Sequence, residues 1–344
     1  MTLPSFLDFL PPEAVRVLRT RVSAEFATVS AAGVPIDTPT FYFPDAGVTT
    51  LDIGTGLAYP AKAGRARRNP KVGMLVEGEA NEPVIAIAGR AAVRDADIQA
   101  NLERYLAETI FAPNVDPAVV PWEKTRRRLY YLARVIVAVA PVHVRWWPNR
   151  AAMDGPPSEW RADPAAEFPV SDPAPPGAAS PAPAWRQEDW HALAGQAMQG
   201  GMPAHLTLLD EDGYPVPIRV RAVRQDEDGF SLVVPAAAPW SAGAASLSFV
   251  GKEIFVGTAR RSGNDVALRV ERALPVLPMM DDRTGMDAAT LATLQARLEA
   301  ELARRGLPLP VVPAEPPAPT EGAVLRAGAS RAIESGSVGG GIAR

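Results

Sequence analysis

Residues Thr55–Gly78 read TGLAYPAKAGRARRNPKVGMLVEG. Pro60 suits a helix start, and a short basic run with Lys62, Arg65, Arg67 and Arg68 follows; Asn69-Pro70 then forces a stop. The apolar VGMLVEG that comes next has the composition of a strand. Working upstream, AEFATVSAAGVPIDTPTFYF reads as strand, glycine-containing turn, strand, and GVTTLDIG as a third strand. Pro11 and Pro12 before them start a helix, with Val15, Leu18 and Val22 at helical spacing. Downstream, PVIAIAGRAAVRD is a further strand, and Ile98, Leu102, Tyr105 and Leu106 mark one face of a helix from about Asp95 to Phe111. RVIVAVAPVHVRWWP closes the region as a strand bulged at Pro141.

The same order recurs. PAHLTLLDEDGYPVPIRVRAV matches the first strand, turn and strand, and DEDGFSLVV takes the place of the third strand. AASLSFVGKEIFVGTARRSGNDVALRVERALP supplies further strands, separated at Lys252 and at the Ser262-Gly263-Asn264-Asp265 turn. Between third and fourth strands the second copy has only PAAAPWSAG, so the basic helix is missing there. The pattern predicts a mainly β protein with flanking helices (α+β), built from two tandem antiparallel units that are either barrels or sandwiches. The expected divisions are 1–150 for the first unit, 151–185 for a Pro/Ala-rich linker, 186–280 for the second unit, 281–308 for a C-terminal helix and 309–344 for a Pro/Gly-rich tail. The helix carries Leu291, Leu294, Leu298 and Leu302 on one stripe, a pattern of core or subunit contact.

Composition narrows the function classes. With 344 residues the chain has room for two domains, and a net charge of -4 argues against a nucleic-acid partner. The absence of cysteine excludes disulfides, thiolate catalysis and Cys-type zinc sites. His143, His191 and His205 are too scattered for a metal cage, and Asp281-Asp282 lacks partner ligands, so no metal is expected. There is no apolar run of membrane-spanning length and no secretory signal pattern, which sets the expectation at a cytoplasmic protein with no membrane partner. No P-loop, nucleophile elbow or H-E-x-x-H motif occurs, and no catalytic residue is legible.

Chemistry is suggested where the third strand meets the basic helix. Gly54 and Gly56 are expected to turn the backbone with N–H groups exposed, at a helix start that attracts an anion. Lys62 sits in the first turn, where a flexible ammonium can reach back to that anion. Only Lys62, Lys71, Lys124 and Lys252 are lysines in a chain that otherwise uses arginine, which makes Lys62 informative. Trp146 and Trp147 are adjacent at a strand end and must point to opposite faces, one into a core and one toward a ring system or an interface. Trp240, in the loop that replaces the basic helix, either covers a pocket or plugs it.

Taken together, TPTFYF, KAGRARRNPKVGMLVEG and VIAIAGRAAV, in this order of elements, resemble the FMN-binding split barrel of the pyridoxamine 5'-phosphate oxidase-like superfamily. The resemblance covers Ser23 to Trp147 well and the second region loosely. It implies two tandem split barrels and an FMN-dependent oxidoreductase acting on a small organic molecule. It also implies Lys62 as phosphate ligand with Thr55 and Arg67 beside it, and Thr38, Thr40 and Tyr42 along the isoalloxazine, with Trp147 as a further cofactor residue. Pro60-Ala61-Lys62 stands where relatives often carry Ser-Arg-Lys, so a different cofactor stays open: F420, or haem with His143 or His205 as a candidate ligand, in an enzyme or in a carrier or sensor. Such sites usually lie at a dimer interface. The chain is therefore expected either to form a homodimer or to use its second unit as a built-in partner, a pseudo-dimer with at most one flavin.

Overall fold

The computed structural model describes residues 6–45, 47–112, 115–178, 189–240, 242–250, 254–274 and 288–338, the last segment without side chains from residue 330. The first unit opens with α1 (Pro12–Thr20), then β1 (Ser23–Val29), β2 (Pro35–Pro44), β3 (Leu51–Gly56), α2 (Ala61–Arg68), β4 (Lys71–Glu77) and β5 (Val84–Arg94). It continues through α3 (Ile98–Thr109), α4 (Trp122–Arg126), α5 (Leu129–Leu132), β6 (Arg134–Trp147) and β7 (Ser158–Arg161). All pairings are antiparallel in the order β3-β2-β1-β4-β5-β6-β7. Because β3 also pairs with β6, strands β1 to β6 close into a barrel.

Local chemistry explains the connections. Gly33, at φ 76°, supplies the left-handed residue of the β1–β2 turn. Asp97 caps α3 by accepting from the Ala100 amide at 2.9 Å. Asp97→Ala is expected to cost about 1 kcal/mol, measurable as a lowered denaturation midpoint. The register shift between Ala88 and Gly89 pairs them with His143 and Pro141, leaving Val142 as the extra residue of the expected bulge.

In the second unit, α6 (Trp190–Gln199) precedes β8 (Ala204–Leu209), β9 (Pro215–Arg219), β10 (Ala222–Gln225), β11 (Gly229–Val233), β12 (Ala242–Phe249), β13 (Ile254–Ser262) and β14 (Asp265–Leu274). The ladder β9-β8-β12-β13-β14-β11 repeats β2-β1-β4-β5-β6-β3 strand for strand. What the second unit lacks, among the described pairings, is the counterpart of β2–β3: β11 pairs with the short β10 instead, and the sheet remains an open half-barrel. Trp240 is buried there, donating its indole N–H to the Val216 carbonyl at 3.0 Å, and so acts as a plug.

Two segments differ from expectation. Residues 151–178 are docked as well as proline-rich: β7 pairs with β6, and Asp172 accepts from the amides of Asp95 and Ala96 at 2.8 and 3.0 Å. The expected tail contains a helix, α8 (Glu321–Val338), whose Arg326 is buried against Glu108 of α3. Its alanines favour a helix and its glycines oppose one, so the docking supplies what isolated propensity does not. Ahead of it, α7 (Ala288–Arg305) buries Leu294, Leu298 and Leu302 in the core of the first barrel, with Leu291 exposed. Both closing helices thus belong to the first unit. Lys252 and Asp281-Asp282 lie outside the described residues.

Candidate functional site

The start of α2 carries no side-chain cap, and Pro60 stands at its N-cap. The two preceding glycines serve a different purpose from the expected bend. Gly54 and Gly56 lie within β3, paired with Ile136 and Arg134, and neither has a positive φ. A Cβ on Gly54 would come within 2.7 Å of the Tyr105 ring, so that glycine makes room for α3. Over the same strand end, the Arg134 guanidinium stacks on Tyr105 and Tyr131 at 4.3 and 4.0 Å from the ring centroids.

Along α2 the cations divide by their partners. Arg67 forms a 2.6 Å ion pair with Asp95 and also donates to the Asp172 carbonyl. Arg65 donates through Nε to the Thr28 hydroxyl at 2.7 Å, and burial followed by nearby Arg68 lowers its pKa to about 10. The Lys62 ammonium makes no hydrogen bond or ion pair with a described residue. Burial, then the positive field of Arg65, lowers its pKa to about 8; Asp37 and Glu25 pull it up, and Arg134 adds to the depression.

The other sequence candidates are placed as follows. Thr55 is buried in β3 opposite Val135. Thr38, Thr40 and Tyr42 alternate onto one face of β2, as the strand period dictates. Along that face the Thr38 hydroxyl is buried without a hydrogen bond, and Thr40 makes only a long 3.5 Å contact to the Phe41 carbonyl. Tyr42 is committed to packing: it is 1% exposed, its hydroxyl donates to the Leu18 carbonyl at 2.8 Å, and burial raises its pKa. Trp147 lies in the core between the two units, with its indole N–H on the Gly155 carbonyl at 3.0 Å, while Trp146 packs against the barrel core.

A cluster absent from the sequence reading adjoins Lys62. β8 and β12 face β1 and β2 across the seam between the units, and Glu25, Asp37, Glu77 and His205 are buried or nearly so there. His205 Nδ1 lies 3.3 Å from Glu25 and Nε2 lies 3.2 Å from Glu77, while Ser248 donates to Asp37 at 2.9 Å. The Glu25 and Asp37 carboxyls adjoin one another, and a proton between them makes the hydrogen bond that two carboxylates cannot. Burial, reinforced by Asp37, pushes Glu25 up to about 8, and burial likewise raises Asp37. Burial alone would lower His205, but Glu25, Glu77 and Asp37 outweigh it and the imidazolium is favoured. Glu77 moves the other way: burial raises it, yet His205, Arg219 and Arg150 hold it below its ordinary value. The sequence signal was faint: single acids inside the otherwise apolar strands SAEFATV and PIDTP. His143, the other strand histidine, sits 2.9 Å from Glu159 with a pKa lowered by burial.

Among the described residues no group of His, Asp or Glu is arranged to hold a metal, and no helix is long and apolar enough to cross a membrane.

No protein-family model matches the sequence, and no curated protein matches it. Solved structures do match. General Stress Protein 26 from Bacillus anthracis is 15% identical, with 44% of this chain covering 96% of that one at a TM-score of 0.31. A putative pyridoxamine 5'-phosphate oxidase from Listeria innocua is 18% identical over 40% of this chain and 97% of its own, at 0.29. A pyridoxamine 5'-phosphate oxidase-related, FMN-binding protein from Nostoc punctiforme is 15% identical over 45% of this chain and 98% of its own, at 0.30. At these scores the likeness adds nothing about activity, and it is the chain's own strand pairing that describes it: a closed six-stranded split barrel followed by an open half-barrel of the same connectivity.

Proposed function

We propose that the chain binds FMN non-covalently, with the phosphate held by Lys62 and the first turn of α2, and that it works as a flavin-dependent oxidoreductase on a small organic molecule. The observation that carries this reading is the Lys62 ammonium: partly buried, at an uncapped helix start, and without a hydrogen-bonding partner among the described residues, whereas Arg65 and Arg67 on the same helix are engaged. A buried cation without a partner is costly, and a phosphate dianion would relieve that cost. The unsatisfied Thr38 hydroxyl on β2 would orient the ring system from the strand side. FMN would supply the hydride or electron chemistry; the protein would position it and limit water. Among the described residues the second unit has no helix between β11 and β12, which supports its role as a built-in partner and a stoichiometry of one flavin per chain.

Reconstitution of the full chain tests the reading. FMN is expected to bind at one equivalent, and Lys62→Ala to weaken it about tenfold or more, the equivalent of a lost charge-assisted hydrogen bond. Affinity should also fall as pH rises through about 8, where free Lys62 loses its proton. The proposal fails if FMN does not bind, if two equivalents bind, or if Lys62→Ala binds it unchanged. Parallel titrations with F420 and haemin separate the other cofactors, since preferential binding of either would displace FMN from the assignment.

A further inference from the structure

A cavity of about 480 Å³ lies where the end of the first unit meets the second sheet, away from Lys62. Its volume falls in the range of small-molecule sites. Three arginines line it: Arg150, which follows β6, and Arg219 and Arg221 at and just beyond the end of β9. Among the described residues, no aspartate or glutamate lines it. Each guanidinium is anchored from outside the cavity. Arg150 donates to the Gly78 carbonyl at 2.8 Å, Arg219 Nη1 to Glu77 at 3.3 Å, and Arg221 Nη1 to Asp154 at 2.7 Å.

Arginine carries five N–H donors in a fixed fork, and one bond uses only one of them. Nε and Nη2 of both Arg219 and Arg221 make no hydrogen bond to a described residue. Their side chains are 29% and 36% exposed, so those donors are accessible. The remaining wall is apolar: Met198, half-buried, and Met202 at the rim, 42% exposed, present adaptable surface, while Met153 and Phe249 are each 2% exposed. Thioether surface of Met198 and Met202 on one side and unused guanidinium donors on the other call for a ligand with an apolar body and an anionic end.

We propose that this cavity is a binding site for an amphiphilic organic carboxylate, with the carboxylate on Arg219 and Arg221 and the apolar body against the methionines. The site is independent of whether Lys62 holds a cofactor. A planar carboxylate matches the guanidinium fork in two parallel hydrogen bonds, a match that a neutral amide lacks.

Isothermal titration of the full chain with sodium octanoate and with sodium 4-phenylbutyrate tests this, octanamide and inorganic phosphate serving as probes of the two halves of the ligand. At least one carboxylate is expected to bind with a submillimolar Kd, and octanamide and phosphate each about tenfold or more weaker. Arg221→Gln, which alters an exposed ion pair, and Met202→Glu, at an exposed rim position, are each expected to weaken the carboxylate by a similar factor while melting like the wild type. Absence of binding by both carboxylates, octanamide or phosphate binding as tightly, or unchanged affinity in both variants would overturn the assignment.

Discussion

Changing His205 to leucine is expected to remove about 3–5 kcal/mol of stability, the usual cost of breaking a buried ion pair from one side. The imidazole is 2% exposed and bridges Glu25 of β1 and Glu77 of β4 from β8, so its loss takes the buried cation away from Glu77 and a polar partner from Glu25. Arg219 and Arg150 still reach Glu77, and Lys62 lies on the α2 side. The same cluster sets a pH dependence whose sign can be worked out. Glu25 holds its proton in the fold up to about 8 but releases it near 4.5 when unfolded, so between those values the native state binds more protons and stability falls as pH rises. Asp37, also raised, acts in the same direction. His205, raised above 6.5, contributes stability that is full below 6.5 and lost as pH climbs through its folded value. Glu77, held low, contributes above its ordinary 4.5 and loses that contribution as pH falls.

The sum is a protein most stable on the acid side of neutrality, with a declining melting temperature toward about pH 8. Glu25→Gln keeps the side-chain shape and removes its titration, and is expected to flatten that decline by up to about 1.4 kcal/mol per pH unit. Thermal melts of wild type and variant across the range decide the matter. Parallel slopes would show that Glu25 is not the proton carrier.

Gly73→Ala is the second change with a large expected effect, about 3 kcal/mol or more. A Cβ there would lie 1.7 Å from the Pro215 carbonyl oxygen, and backbone atoms cannot swing aside as a flexible side chain can. β4 and β9 would have to part, taking with them the core that Leu75 and Trp147 share with Leu206 and Ile218. Gly195→Ala, in α6, is the internal control: nothing lies within 4 Å of its Cβ position, and a helical alanine is favoured by about 0.5–1 kcal/mol. Denaturant melts of the two variants should therefore shift in opposite directions.

Much of this architecture was legible in the residues. Alternation and turn chemistry located the strands of both units, Asn69-Pro70 ended α2, and the missing basic helix of the second unit appears as the loop plugged by Trp240. The choice between barrel and sandwich was not legible, because closure depends on whether β3 meets β6, a pairing between residues some eighty positions apart. Gly54 of GTG was misread for a related reason: its neighbour is the Tyr105 ring, which arrives from α3. Lys62 stood out by composition, whereas the acids near it did not. Glu25 and Asp37 are raised by burial, and His205 and Ser248, which pull the other way, reach them only from the second unit. Arg67, which the resemblance set beside a phosphate, is held by Asp95, a pairing that no local spacing indicates.

The return of α7 and α8 to the first unit bears on how the molecule comes off the ribosome. Arg305 pairs with Asp95 at 2.6 Å, Arg297 donates to the Ala58 carbonyl at 3.0 Å, and Val311 and Gln99 exchange two hydrogen bonds. The half translated first therefore cannot finish its own interior until the half translated second has emerged. In topological terms the half-barrel is an insertion within a discontinuous domain, and a cut between the units would leave the earlier one lacking helices that follow the half-barrel in the chain.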